Sequence, residues 1–278
     1  MPDTINVSRP RILVAEDNYL MAEEPGDVVR GSAVAGAASS VESRPALIAR
    51  DAVDEAAVPA RAEPIFANTI LDSLPAATRS ALAAWLERVP LKRGDVLDVC
   101  GAPVGYVHFP VEGLVSIFVG ATAATRIEAA TIGRDGMTAP GILLGDSVSP
   151  GQTVVQANGS AWRIPAATLY QLSESDPGLR HHLLGQVGGA LRHLADTLSY
   201  SGRATIVERL AHWLVQAAWR LGSRRLELTH DVLAEILGVR RPSVTTSLQM
   251  LEGKHLIRST RRAVVILDPE GLAELAQR

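Results

Sequence analysis

The stretch LGVRRPSVTTSLQMLEG, residues 237–253, decides how this chain is read. Two arginines and a proline interrupt a helical pattern, and hydroxylated residues follow at once. Before the break, Val232, Leu233, Ile236 and Leu237 fall on one side of a helix expected from about His230 to Leu237. Thr229 is suited to cap its start, and Gly238 to the left-handed turn that ends it. Val239 can tuck beneath that turn. Pro242 fits the first turn of a second helix, where a fixed φ helps and a missing N–H costs little. Val244, Leu248 and Leu251 then recur at the spacing of one buried face. Two short helices meeting at a glycine turn form a helix-turn-helix.

The other side of the second helix carries Arg240, Arg241, Ser243, Thr245, Thr246 and Gln249. In a helix-turn-helix this face enters the major groove of double-stranded DNA. Arginine can donate two hydrogen bonds to guanine or clamp a phosphate, and hydroxyls can meet bases or phosphate oxygens. Unbonded N–H groups at the helix start are expected to favour a phosphate as well. Downstream, Leu256 to Ile266 reads as a β-hairpin wing with a basic edge and tip, Arg258, Arg261 and Arg262.

Working outward, Ile206 to Leu221 is an amphipathic helix ending at Gly222-Ser223. Before it, Asp176-Pro177 marks a helix start. Leu179, Leu183, Leu184, Val187, Leu191, Leu194 and Leu198 follow at three- and four-residue spacing. So long and narrow a seam suits packing against another helix, either in the same domain or in a symmetry mate. Residues 90–165 are strand-like: Val96–Val99, Tyr106–Phe109, Leu114–Val119 and Thr153–Ala157 are separated by glycine and proline turns. That pattern suggests an antiparallel sandwich or barrel. Ile65 to Val89, with Ile70, Leu71, Leu74, Leu82, Trp85 and Leu86, reads as two short amphipathic helices broken at Pro75.

Composition narrows the function. Lys+Arg against Asp+Glu runs 6 to 11 over residues 1–64, 9 to 11 over 65–202 and 12 to 8 over 203–278, so only the C-terminal part is net basic. A nucleic-acid-binding module joined to a non-binding one has this asymmetry. The single cysteine, Cys100, excludes an internal disulfide, a thiolate zinc site and a four-cysteine iron–sulfur cluster within one chain. No apolar run of about 18 residues is present to span a membrane, and the N-terminus lacks the apolar segment of a secretory signal. A cytoplasmic protein without membrane partners is expected. His181 and His182 are adjacent, so they point to different helix faces and make a poor metal pair. Serines and aspartates lack a nucleophile-elbow or phosphate-loop context. No enzyme is expected.

The run from Leu226 through Leu-Thr-His-Asp-Val-Leu-Ala-Glu-Ile-Leu-Gly-Val-Arg-Arg-Pro-Ser to Glu252, followed by Leu256-Ile257-Arg258, resembles the winged helix-turn-helix of the Crp/Fnr transcription regulators. Val207 to Leu214 looks like the helix opening that module. Val96-Leu97, Tyr106 to Pro110 and Gly113 to Ser116 resemble the family's β-roll, a cyclic-nucleotide-binding-like domain. The resemblance covers about residues 65–278. It implies an α+β fold: an N-terminal jelly-roll-like β-roll, a long dimerisation helix and a C-terminal winged helix-turn-helix. The expected divisions are 1–62, 63–175, 176–202 and 203–278. It further implies a homodimer joined along the Leu179–Leu198 helix on a near-palindromic site, with RNA polymerase as a candidate further partner.

Two departures bear on the ligand and on base preference. Nucleotide-binding members hold the ribose with a Gly-Glu pair and the cyclic phosphate with an arginine followed by a small hydroxyl residue. This chain has Gly133-Arg134-Asp135-Gly136-Met137 and Ser149-Pro150-Gly151-Gln152-Thr153 in those regions. No cofactor is identified, and cyclic nucleotide is not the expected ligand. His108 is a candidate haem ligand, against the commoner structural role of a lone strand histidine. In the reading helix, Pro242 stands where many members keep a glutamate that accepts from cytosine.

The N-terminal segment has a resemblance of its own. Arg11 to Asp17 resembles the first strand and acidic pair of a response-regulator receiver, and Ala33 to Glu42 its second strand. Residues 1–62 are too short for a whole receiver and read as a degenerate remnant or a disordered extension. Two other readings of the chain are a β-roll sensor or scaffold whose helix-turn-helix contacts protein, and a phosphorelay-linked adaptor.

Overall fold

Residues 66–120 and 126–277 are described by the computed structural model; the receiver-like reading of residues 1–62 lies outside them. Asn68 precedes the first helix. Its side chain accepts from the N–H groups of Ile70 and Leu71, capping the short helix α1, Thr69–Asp72. Helix α2, Ala76–Ala83, follows Pro75. The helical reading of Ile65–Val89 overran here: α2 stops before Trp85, which is 53% exposed. Residues Glu87–Leu91 form strand β1 instead.

An antiparallel sheet comes next, built from β1, β2 (Val96–Asp98), β3 (Tyr106–Val119), β4 (Ile127–Ile132) and β5 (Gln152–Pro165). Its order is β1-β5-β3-β4, with β2 also on β5. The two runs expected as separate strands, Tyr106–Phe109 and Leu114–Val119, are one strand. The register shifts at Glu112 and Leu114 let β3 run past Pro110 and Gly113 while still pairing with β5. Backbone approach there is very close, because a Cβ on Gly159 would lie 2.0 Å from the Glu112 carbonyl oxygen. Inside the roll, Phe109, Leu143, Ile164 and Leu169 pack with Leu71 from α1.

Helix α3, Ala166–Ser175, leads to α4, Pro177–Ser201. Asp176 caps α4 by accepting from the N–H groups of Gly178 and Leu179, and Pro177 occupies its first turn. The leucine seam divides along this helix. Leu179, Leu183 and Val187 are buried against the roll, whereas Leu191 and Leu198 are 61% and 73% exposed.

The C-terminal part contains α5 (Ile206–Leu221), β6 (Arg225–Leu226), α6 (His230–Leu237), α7 (Arg241–Gly253), β7 (Ile257–Thr260), β8 (Ala263–Ile266) and α8 (Pro269–Ala276). Thr205 and Glu208 form a reciprocal capping box at the start of α5. Leu210, Leu214, Leu233, Leu248, Leu251 and Leu272 make one core, and it continues into the roll through Leu114 and Phe118 of β3. The roll and the helix-turn-helix therefore share buried apolar surface. Among the described residues no helix is long and apolar enough to cross a membrane.

Candidate nucleic-acid interface

The two helices of the motif are set by local chemistry. The Thr229 hydroxyl accepts from Val232 N–H to start α6, and Gly238, at φ 63°, ends it in the left-handed region. Gly238 must also stay small, since a Cβ there would sit 2.4 Å from Ile127 Cγ2 on β4. Arg240 is the N-cap of α7, and Arg241 and Pro242 fill its first turn. Val244, Leu248 and Leu251 anchor α7 in the core, with Ser247 buried beside them.

The opposite face lies at the surface. Arg240, Arg241, Thr246 and Gln249 are exposed, and Ser243 and Thr245 are partly so. The hydroxyls are already engaged with the helix: Thr245 Oγ1 donates to the Arg241 carbonyl and Thr246 Oγ1 to the Pro242 carbonyl, each at 3.2 Å. Neither hydroxyl therefore offers a proton outward. The helix start also presents less to a phosphate than the sequence pattern suggests. Pro242 has no N–H, and Ser243 N–H donates to the Arg240 carbonyl at 3.0 Å.

The wing pairs Ile257–Thr260 with Ala263–Ile266, and Arg261 and Arg262 form its two-residue turn. Arg262, the second residue of that turn, adopts φ 65°, in the left-handed region. Arg258, Arg261 and Arg262 are all exposed. Glu252 near the end of α7 accepts from Ser259 N–H at 3.1 Å and ties the wing to this helix.

Two contacts on this face escaped the sequence reading. Asp231 Oδ1 lies 3.5 Å from Arg241 Nε. His230 Nδ1 lies 2.9 Å from Thr245 Oγ1. Both come from the first turn of α6, which the sequence reading used only as a helix start.

Around Gly133–Met137, side chains are engaged by α5. Asp135 accepts from Arg220 Nε at 3.2 Å, and the Arg134 guanidinium stands 5.9 Å from the centre of the Trp219 ring. Ser149 Oγ donates to the Gly151 carbonyl at 2.8 Å. On β4, Glu128 accepts from Trp213 Nε1 of α5 at 2.6 Å and from the Ser116 hydroxyl of β3. Burial pushes its carboxyl up to about 7, against the opposing hydrogen bonds and the Arg220 charge. Arg126, at the head of β4, pairs with Glu235 of α6. His108 is buried in β3 and pushed down to about 4, first by burial and then by the Arg163 charge. A neutral strand histidine fits that environment. Among the described residues, no group of three or more His, Cys, Asp or Glu side chains is arranged to hold a metal ion.

Residues 208–275 match the family model of the Crp-like helix-turn-helix domain. No curated protein matches the chain significantly. Solved structures share its fold. FixK2 from Bradyrhizobium japonicum is 20% identical, with 68% of this chain and 96% of that one covered and a TM-score of 0.60. A Crp/Fnr-family transcriptional regulator from Thermus thermophilus is 23% identical, covering 69% of this chain and 99% of its own, at a TM-score of 0.58. The c-di-GMP-responsive global regulator CLP of Xanthomonas campestris is 16% identical, with coverages of 69% and 99% and a TM-score of 0.58.

Proposed function

We propose that this chain, a DNA-binding transcription regulator with a Crp-like helix-turn-helix domain and the fold of Crp/Fnr regulators, acts as a homodimer joined along α4. Each copy lays α7 in the major groove of one half-site, and the wing arginines hold the flanking backbone. The observation that carries this reading is the α7 face itself. Its apolar side is locked in the core, while Arg240, Arg241, Thr246 and Gln249 stand exposed on a helix whose domain matches a DNA-binding family model. A surface built only for protein contact has no need of five exposed arginines on α7 and the wing. A cytoplasmic location and RNA polymerase as a further partner belong to the same reading.

Arg241 is assigned to a guanine edge. Arg241→Ala should weaken binding to the preferred site by about 1–3 kcal/mol while leaving random-sequence DNA much less affected. Fluorescence anisotropy on both DNAs at a fixed salt concentration measures this. A loss equal on both DNAs, with a salt slope smaller by about one, would assign Arg241 to a phosphate instead.

The effector is not a cyclic nucleotide in this reading. A cyclic phosphodiester needs a cation or a cluster of N–H donors, and the nearby Arg134 is stacked on Trp219 while Asp135 holds Arg220. Titration calorimetry with cyclic AMP and cyclic GMP should show no heat of binding, and tight binding of either would reverse the assignment.

A further inference from the structure

We propose that Asp231 is a specificity-determining positioning residue: it holds Arg241 by one edge, so that the other edge is presented to a single guanine rather than to the phosphate backbone. The proposal rests on the DNA-reading role of α7 given above.

The geometry comes from two consecutive residues in the first turn of α6. Asp231 Oδ1 approaches Arg241 through Nε, at 3.5 Å. A guanidinium drawn to a carboxylate on its Nε side keeps its two terminal amino groups, Nη1 and Nη2, for other partners. Such a fork can donate to guanine O6 and N7 together. One position earlier, His230 Nδ1 lies 2.9 Å from Thr245 Oγ1. The Thr245 hydroxyl proton goes to the Arg241 carbonyl at 3.2 Å, so this oxygen accepts from the imidazole N–H. Residues 241 and 245 lie one turn apart on the reading helix, and each is held from α6 by its own partner.

The charge of Asp231 argues against the alternatives. Its side chain is 68% exposed and that of Arg241 64% exposed. An ion pair so open to water adds little to folding stability, so fold stability does not explain the arrangement. A carboxylate on a face that meets a polyanion also opposes binding in general. Its benefit is discrimination. With Asp231 in place, Arg241 is drawn away from phosphate oxygens and gains most where a guanine completes its hydrogen bonds.

The test uses the full chain and two variants, Asp231→Asn and Asp231→Ala, measured by anisotropy at one salt concentration. Three duplexes are compared: the selected site, the same site with each half-site guanine replaced in turn, and random-sequence DNA. Both variants should bind random-sequence DNA more tightly than wild type. Their preference for one guanine should fall by about two- to fivefold, the range that an exposed ion pair supplies. Adding Asp231→Asn to Arg241→Ala should cause no further loss at that guanine, because the two side chains act as one unit. Thermal melting should be unchanged, which a purely structural role would not predict together with lost discrimination. An Asp231→Asn protein that keeps full discrimination, beside an Arg241→Ala protein that loses it, would overturn the proposal and leave DNA reading by α7 intact. A wild-type protein that prefers no sequence would overturn both.

Discussion

Replacing Leu191 and Leu198 together by aspartate is expected to give a monomer that binds its DNA site at least about a hundredfold more weakly. The expectation follows from how α4 distributes its leucines. Leu179, Leu183 and Val187 are spent on the roll, so the first half of the helix belongs to the core. Leu191 and Leu198, two turns apart, leave 61% and 73% of their surface uncovered. Large exposed leucines at that spacing form the stripe by which two helices pair. Burying them in a partner removes apolar area from water, and a carboxylate at both positions turns that gain into repulsion across a two-fold axis. Since neither side chain belongs to the monomer core, the variant should still fold. The affinity loss comes from geometry. Two linked reading helices bind one duplex with an avidity about 10² to 10⁴ above that of a single module. Light scattering on a sizing column and anisotropy on a two-half-site duplex measure the two effects. A variant that remains dimeric would remove α4 from the interface.

The second large effect concerns the seam between the roll and α5. Glu128→Gln should stabilise the protein at pH 8 by on the order of 3 kcal/mol and flatten its stability between about pH 4.5 and 7. In the folded chain burial raises this carboxyl to about 7, while its ordinary value is 4.5. The folded state thus binds the proton more tightly than the unfolded one. The resulting stability is complete below the ordinary value and is lost as pH rises through about 7. Above that, an ionised carboxylate sits among Ser116, Thr131 and Trp213, with Arg220 as an opposing charge. Arg209, His212 and Tyr200 line the same small cavity. Glutamine keeps an oxygen for the Trp213 N–H and offers an amide to the Ser116 oxygen, yet carries no charge to desolvate. Urea denaturation of both proteins at pH 5 and pH 8 reads the difference directly. Equal stabilities at pH 8 would mean that water reaches the carboxylate.

The DNA-reading motif could be read from the sequence because each of its signals is local. Thr229, Gly238 and Pro242 act within a few residues of their own positions, and the spacing of Val244, Leu248 and Leu251 needs no knowledge of the partner. Asp176-Pro177 announced α4 in the same way. The sheet was harder. Strand β1, ERVPL, carries Pro90 and is mostly exposed, so it lacks the alternation that marks a strand. Strand β4, IEAATI, is covered by elements some 85 to 110 residues away: Trp213 bonds Glu128, and Gly238 lies against Ile127. No local pattern reveals such a partner. Strand β3 read as two pieces because Pro110 and Gly113 look like turn residues, whereas register shifts carry the strand through them. The Asp231–Arg241 pair lay within the helix-turn-helix itself. It escaped because a helix-start aspartate is ordinarily explained by the helix dipole alone.

Every role proposed for α7, the wing and α4 depends on sequence-specific DNA binding through α7. Selection from random double-stranded DNA with the full chain, sequenced and then measured across a salt series, tests it most directly. It should enrich an inverted repeat with half-sites about one helical turn apart, and affinity should fall steeply as salt rises. Recovery of no motif, or binding indifferent to salt, would contradict it.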